Sequence, residues 1–480
     1  MKRIVFMSGD ARKISTAVLE QVTPSVSERK KIARLSQKLT EQVVIAAKKL
    51  KVKAKVRVEG SVAKDTWLSR EPDIDIFMRL PRSTLRDSLG EVCLRVAREA
   101  TRGSKQVERF ADHPYLEAFV EGTRVNIVPC YEAKPGEWMS ATDRTPFHTA
   151  YINEHLTDEA RSEVRLLKKF MKGISVYGAE IKVGGFSGYL CELLILHHES
   201  FLDTVKAFAL DKQRMVVDIA RFYDGRHGEL NLLFDEPLVV VDPVDKARNA
   251  ASAVRGQKLH DLVAASQRFL AKPSLDFFYP PQTVPLAVGK MRRELKTRGS
   301  SIIFVVLGGV DAVADVLWGQ LYKSQRSLRK LVELNDFTVL RDLPWSNEKG
   351  LNMFVFELED CCVPQVRRHV GPPLDKEKEC EKFIAKYVES PDAVGGPYVE
   401  DGRWAVLVRR KFTDACTLLK DRLKDGGRRA GVAEGISHVL KKNFRVLVNE
   451  EIAGVYERDS EFAVFLTGFL RGRPKWLEAH

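Results

Sequence analysis

The sequence predicts an α+β, multidomain protein. Three observations carry that prediction: helical and strand periods mix irregularly over residues 25–131, an apolar helical stretch follows from Pro146, and the texture changes again beyond about residue 272. At 480 residues the chain has room for roughly three or four domains. Its 44% hydrophobic and 30% charged residues exclude a disordered or fibrous chain.

Each element has its own signal. Ser25-Val-Ser-Glu28 has the form of a capping box, and Ile32, Leu35, Leu39, Val43, Ala46 and Leu50 follow at helical spacing. Val52, Ala54, Val56 and Val58 alternate with Lys and Arg, which predicts a half-buried strand leading into Gly60-Ser61. A second strand is expected from about Ile74 to Met78, then a helix over about Leu85–Ala100. Strands Tyr115–Val120 and Val125–Val128 follow, joined by the turn Glu121-Gly-Thr123. A helical stretch begins at Pro146-Phe147-His148. Further on, Val164, Leu167, Phe170 and Met171 form an apolar stripe with Lys168 beside it. Ser187 is placed to cap a helix after Gly184-Gly185, a turn without the Gly-Lys-Ser/Thr of a P-loop. Pro273, Pro280, Pro281 and Pro285 mark a boundary. Beyond it strands Ile302–Leu307, Phe337–Leu340 and Met353–Leu358 and a helix Val316–Leu334 suggest a small sandwich, and a further strand, Trp404–Val408, follows a charged segment punctuated by Pro372-Pro373 and Gly395-Gly396-Pro397. A helical end carries the basic clusters Arg428-Arg429, Lys441-Lys442 and Arg471–Lys475.

The chemistry concentrates at Gly60-Ser61 and Asp73-Ile-Asp75. Side chains alternate along a strand, so Asp73 and Asp75 share a face while Ile74 and Ile76 turn to a core. Two carboxylates side by side repel unless a cation lies between them, and Mg²⁺ with oxygen ligands is the expected cofactor. Paired acids of this kind hold metals in phosphoryl-transfer enzymes, and the Gly-Ser turn is suited to phosphates. The net charge of +13 adds a polyanionic partner, nucleic acid, to that picture.

The cysteines at 93, 130, 191, 361, 362, 380 and 416 are odd in number and form no Cys-x-x-Cys pair. That pattern predicts reduced thiols in a cytoplasmic protein, with neither a disulfide framework nor a zinc knuckle. Met1–Met7 is too short for a signal segment, and no apolar run approaches the ~20 residues needed to span a membrane.

These residues resemble the archaeal, class I CCA-adding enzymes (tRNA nucleotidyltransferases). Beyond Gly60-Ser61 and Asp73-Ile-Asp75, the likeness rests on Val128-Pro-Cys-Tyr131, Asp143-Arg-Thr-Pro-Phe-His148, Glu163-Val-Arg-Leu-Leu-Lys168 and Tyr177-Gly-Ala-Glu180. Gly185-Phe-Ser-Gly-Tyr-Leu-Cys-Glu-Leu-Leu194, Val241-Asp-Pro-Val-Asp245, Arg248-Asn249, Pro273-Ser-Leu and Asp401-Gly-Arg-Trp404 extend it over about residues 18–415.

The resemblance implies a polymerase-β-like nucleotidyltransferase head (1–147), a helical neck (148–272) and an α/β RNA-binding body and tail (273–480). It implies template-independent addition of C, C and A to tRNA from CTP and ATP, with pyrophosphate released. The acceptor and TΨC half of the tRNA would be held by body and tail. By the same resemblance Ser61, Lys64 and Thr145 meet the triphosphate, Asp73 and Asp75 hold magnesium, and His148, Lys168, Tyr177 and Arg248 belong to the nucleotide site.

The chain departs from the pattern twice. Lys64 stands where the family has Arg, which keeps the charge and loses the bidentate fork. Asn126 stands where the family has a third metal-binding carboxylate; Asn offers one neutral oxygen and cannot act as a base. Glu117 and Glu121 are the nearest acids to replace its charge. Two other readings stay open on sequence: another RNA nucleotidyltransferase of the superfamily, such as a poly(A) polymerase, and an RNA-binding protein with a decayed catalytic head. Oligomeric state is open too, a homodimer included.

Overall fold

Strict alternation over residues 73–80 sets the architecture of the N-terminal part. In this computed structural model, which describes residues 8–110, 112–210 and 214–477, Asp73–Leu80 is a strand with Ile74, Ile76 and Met78 fully buried. It lies inside a five-stranded sheet built from β1 (Lys55–Glu59), β2 (Asp73–Leu80), β3 (Lys105–Phe110), β4 (Pro114–Val120) and β5 (Thr123–Tyr131), in the order β1-β2-β5-β4-β3. Only β2 and β5 run parallel. Two helices cover one face: α2 (Val26–Lys49), preceded by α1 (Ser8–Val22), and α4 (Arg86–Ala100), reached after the single turn α3 (Gly60–Ala63). Ile32, Leu35, Leu39 and Val43 of α2 pack on Ile74, Ile76, Val125 and Ile127. The opposite face carries the acids.

The Ser25 capping box is present: its hydroxyl accepts from Glu28 N, and the Glu28 carboxylate accepts from Ser25 N at 2.8 Å. Strands β2, β4 and β5 run up to three residues beyond the expected bounds, whereas β1 begins at Lys55, three residues after the expected start at Val52. The edge strand β3 was not expected at all, because Lys105-Gln-Val-Glu-Arg-Phe110 is polar on both faces and stands only by its pairing with β4.

Residues from 145 onward continue in helices: α5 (Thr145–His155), α6 (Asp158–Gly173), α7 (Gly188–His198) and α8 (Phe201–Leu210), with α10 (Gly256–Ala271) after a short helix α9 (His227–Leu233). A small sheet of β6 (Met215–Val217), β7 (Leu238–Asp242) and β8 (Asp245–Asn249) lies among them. Their core is aromatic, with Phe170, Phe201, Phe269, Phe277 and Phe278 packed edge to face or stacked. Trp476, near the C-terminus, stacks on Phe277 at 4.9 Å between ring centroids. The sheet core and the aromatic core belong to one unit, residues 1–282 with 473–480, which combines the expected head and neck.

The second unit is residues 283–472. After α11 (Val288–Thr297), it forms a four-stranded sheet from β9 (Ser301–Gly308), β10 (Val339–Ser346), β11 (Leu351–Leu358) and β15 (Phe444–Val448), ordered β10-β11-β9-β15. α12 (Ala314–Leu334), α14 (Ala415–Leu423) and α15 (Glu434–Lys442) bury one face; α11, α16 (Ala453–Arg458) and α17 (Ser460–Arg471) bury the other. A three-stranded sheet of β12 (Val366–Pro373), β13 (Ala393–Glu400) and β14 (Arg403–Arg409) carries α13 (Glu377–Tyr387). Among the described residues no helix is long and apolar enough to cross a membrane.

Candidate active site

β1 delivers the chain into a tight turn at Gly60, whose φ of 73° favours glycine. A Cβ there would lie 2.1 Å from Asp75 Oδ2. Glycine is therefore favoured both by the backbone and by the carboxylate packed on it. Ser61 follows, half-buried, and its carbonyl accepts from Thr66 N at 2.9 Å.

Register brings the acids together. Asp75 faces Asn126 on β5, and Asn126 faces Glu117 on β4, so one row of the sheet reads Asp75, Asn126, Glu117. Two residues earlier Asp73 faces Arg124. Arg124 grips both Asp73 oxygens, its Nε donating to Oδ1 at 2.7 Å, and its Nη1 lies 3.7 Å from Glu117 Oε2. Asn126 Nδ2 donates to Asp75 Oδ1 at 2.9 Å. Glu117 is buried and accepts from Arg109 Nη2 at 2.9 Å, whereas Glu121 lies out on its turn, paired with Lys38. Of the two acids named as replacements, only Glu117 shares the row.

Burial pushes the Asp75 carboxyl up to about 6, and neighbouring Asp73 adds to the shift against the Asn126 hydrogen bond and the charges of Lys64 and Arg124. The donors are all hard oxygens. Asp73 accepts Arg124 with two of its four lone-pair positions. The set fits an oxygen-seeking divalent cation held by Asp73 and Asp75.

Beside the acids lies a buried cluster of Lys64, Lys168 and Glu192. Lys64 Nζ donates to Glu192 Oε2 at 2.5 Å, and Lys168 Nζ to Glu192 Oε1 at 3.2 Å and Thr66 Oγ1 at 3.0 Å. Burial opposes charge on Glu192, but the two ammonium groups outweigh it and hold its carboxyl low. With all three groups ionised the cluster carries one positive charge more than negative; burial lowers the Lys168 ammonium below its ordinary value, and Glu192 offsets that only in part. Buried charge seeks a partner, so this excess favours an anion. Tyr177 stands against it: a Cβ on Gly188 would lie 3.0 Å from Tyr177 Oη and 3.4 Å from Lys168 Nζ.

α6 holds this loop in place. Arg161, Arg165 and Lys168 lie on one face of the helix, at i, i+4 and i+7. Arg161 Nε donates to Lys64 O at 3.0 Å, Arg165 to the carbonyls of Asp65 and Trp67, and Lys168 to Thr66 O at 3.1 Å. Four successive carbonyls after the Gly-Ser turn are thus fixed by one helix.

A second polar centre lies around Asp242, which is wholly buried. It accepts from Arg248 Nη1 at 2.7 Å, Tyr189 Oη at 2.9 Å and Val244 N at 3.0 Å. His148 Nε2 is 2.8 Å away. Burial opposes charge on Asp242, yet the His148 and Arg248 contacts prevail and hold its carboxyl down to about 2. With Asp242 ionised, His148 Nε2 is the donor. Burial shifts the His148 ring below the ordinary imidazole value, against the pull of Asp242. The His148 ring stacks on Tyr189 at 4.0 Å, and Lys64 Nζ lies 5.6 Å from the same Tyr189 ring, which joins the two centres. Arg248 keeps about a third of its side chain exposed (35%), so its free edge can read a ligand.

Two further motif residues, Asp143 and Asn249, are structural. Asp143 accepts from Tyr131 N, Met139 N, Ser140 N and Ser140 Oγ, tying β5 to the start of α5. Asn249 locks β7 to β8 through Val240 N, Leu238 O and Ala251 N. Thr145 opens α5 one turn before His148. Glu192, Tyr189, Asp242 and Arg124 were not singled out from sequence. A lone acid within Leu190-Cys-Glu-Leu-Leu194 is the signal that marks Glu192, since a carboxylate on an apolar helix must find a buried partner.

Three family models match this chain in series: "Nucleotidyltransferase domain" over residues 39–148, "tRNA nucleotidyltransferase, second domain" over 162–279 and "CCA-adding enzyme, C-terminal domain" over 298–449. The CCA-adding enzyme of Methanosarcina barkeri is 36% identical over 96% of this chain and 98% of its own length. That of Methanothermobacter thermautotrophicus is 34% identical over 94% and 97%, and that of Halobacterium salinarum 38% identical over 81% and 84%. Nucleotidyltransferase domains of this kind work with divalent metal ions. With the acid pair, the cationic cluster and near full-length likeness in agreement, the chain belongs to the CCA-adding enzymes, which are tRNA nucleotidyltransferases.

Proposed function

We propose that this chain builds and repairs the 3′-terminal CCA of tRNA in the cytoplasm, taking CTP and ATP and releasing pyrophosphate. Asp73 and Asp75 would hold Mg²⁺, which when bound favours the attacking ribose hydroxyl and neutralises the leaving pyrophosphate. The rest is positioning. Ser61, Lys64, Lys168 and Thr145 receive the triphosphate; Lys64 and Lys168 then exchange part of their bond to Glu192 for phosphate oxygens. Tyr177 borders the same space. Arg248 and His148, fixed by Asp242, present donors of set direction to the base edge, and a wrong base leaves them unpaired. Asn126 keeps Asp75 in place by its amide but adds no charge, so a metal here would be held by one carboxylate fewer than the family pattern supplies.

For tRNA itself, Arg422, Lys424, Arg428, Arg429 and Lys441 of the second unit line one cleft. Two of the three basic clusters of the sequence meet there, Arg428-Arg429 and, through Lys441, Lys441-Lys442; beside Asp421 and Asp425 the five cations leave a positive excess, which suits a phosphate backbone.

The observation that carries the reading is Asp75, packed on Gly60 beside Asp73 and a buried cationic cluster. The test is incorporation of each of the four labelled nucleoside triphosphates into a tRNA that lacks its 3′ end. The expected product is C, C, A and then arrest. Replacing Asp73 and Asp75 with Ala should cut the rate by at least ~10³-fold, as the loss of several kcal/mol of charge stabilisation requires, with tRNA affinity kept. A long A tract, or addition that survives the double substitution, overturns the proposal.

A further inference from the structure

Five of the seven cysteines (93, 130, 191, 380 and 416) are buried; Cys361 is half-buried and Cys362 exposed. These two follow β11 after Glu359 and Asp360. Their Sγ atoms are 3.9 Å apart, and with an Asp360 oxygen they form three ligand atoms all within 4.8 Å of one another. A fourth donor is adjacent, since Asp414 Oδ2 lies 4.0 Å from Cys362 Sγ. Neither Asp360 nor Asp414 forms an ion pair among the described residues. Asp414 Oδ1 caps α14 through Thr417 N, which leaves Oδ2 facing the thiols.

The spacing has a physical reading. Two metal–sulfur bonds of about 2.3 Å at a tetrahedral angle place their sulfurs about 3.8 Å apart, close to what is found. The backbone around the pair is held on both sides. Cys362 N donates to Asp360 Oδ1 at 2.9 Å, Val363 N to Thr413 O at 2.9 Å and Ala415 N to Cys361 O at 2.9 Å, while Cys361 N donates to Ser301 Oγ at 3.2 Å. Donors on a fixed frame lose little freedom when they bind.

We propose that Asp360, Cys361, Cys362 and Asp414 form a site for one thiophilic divalent cation of the zinc type. Thiolates select such an ion over magnesium. The site joins two crossings within the second unit, the link from β11 to β12 and the link from β14 to α14, which connect the four-stranded sheet to the three-stranded one. A bound ion ties these links together, so the site acts as a clamp between the two sheets.

Cobalt separates this site from the all-oxygen one, because only a thiolate ligand gives a sulfur-to-cobalt charge-transfer absorption. The full-length protein, stripped by a chelator and kept reduced, is titrated with Co²⁺. The expected result is one equivalent with a charge-transfer band, displaced by Zn²⁺ and lost in Cys361→Ser/Cys362→Ser, whose far-ultraviolet circular dichroism stays that of the wild type. Asp360→Asn/Asp414→Asn should weaken binding at least ~10-fold and keep the band. Zn²⁺ should raise the urea midpoint of the wild type and not that of the double serine variant. Absence of the band, or its survival in the double serine variant, overturns the site; unchanged affinity without the two aspartates overturns the donor set.

Discussion

Asp75 is the residue on which the chemistry turns, and its protonation gives the account a pH signature. Burial and the charge of Asp73 raise its carboxyl to about 6, so a proton occupies it below that value and must leave before a cation binds. Affinity for Mn²⁺ should therefore fall about tenfold from pH 7 to pH 5, measured by calorimetry in the absence of nucleotide. A flat profile contradicts the assignment. Asn126 tests the neighbouring position. At pH 7.5 Asn126→Asp supplies a charged donor beside Asp75, and the metal concentration for half-maximal turnover should drop by roughly tenfold; an unchanged requirement refutes the role given to Asn126. Asp73 and Asp75 were legible in the sequence because their spacing alone puts them on one face. Tyr189, Glu192 and Asp242 were not. Each has a partner far along the chain, 53, 128 and 94 residues away, and of the three only Glu192, an acid on an apolar helix, carries a local mark.

The turn between β1 and α3 shows how an element sets a residue's position. Ala at position 60 would force a left-handed backbone to carry a Cβ, at a cost of roughly 1–2 kcal/mol, and would drive that Cβ into Asp75 Oδ2. A shift of the carboxylate by about 1 Å is enough to lower kcat ~10²-fold, so Gly60→Ala should lose at least that much and remain folded. Full activity in this variant would show that Asp75 is not held by the turn. Helix α6 supports the same loop from below, through the three cations that grip successive carbonyls. Its apolar stripe was evident from the 3.6-residue period, whereas the use of Arg161 and Arg165 was not, since charged residues at helical spacing are more often solvated. The same logic separates the elements that were foreseen from those that were missed. Strands with a buried apolar face, such as β2, β9 and β11, announce themselves. Those that stand on partners alone do not: β3 is polar on both faces, β12 ends in Gly-Pro-Pro and β13 contains Gly-Gly-Pro.

On the scale of the whole molecule, the charge of +13 is the feature that composition alone reported correctly in kind and could not locate. The second unit concentrates part of it in the cleft of Arg422, Lys424, Arg428, Arg429 and Lys441. Removing one phosphate-binding cation should reduce the salt dependence of tRNA binding by about one unit of slope in log K against log salt. Arg428→Gln/Arg429→Gln/Lys441→Gln should therefore flatten the slope by about 2–3 and weaken binding, with the kinetics of pyrophosphate release at saturating tRNA preserved; an unaltered slope places the tRNA elsewhere. The central claim is more local, and one measurement reaches it directly. A crystal grown with CTP and Mn²⁺, examined by anomalous scattering, should place an ion about 2.0–2.2 Å from oxygens of both Asp73 and Asp75, with the triphosphate against Ser61 and Lys64. An ion bound elsewhere, or a triphosphate that avoids Ser61 and Lys64, would contradict it.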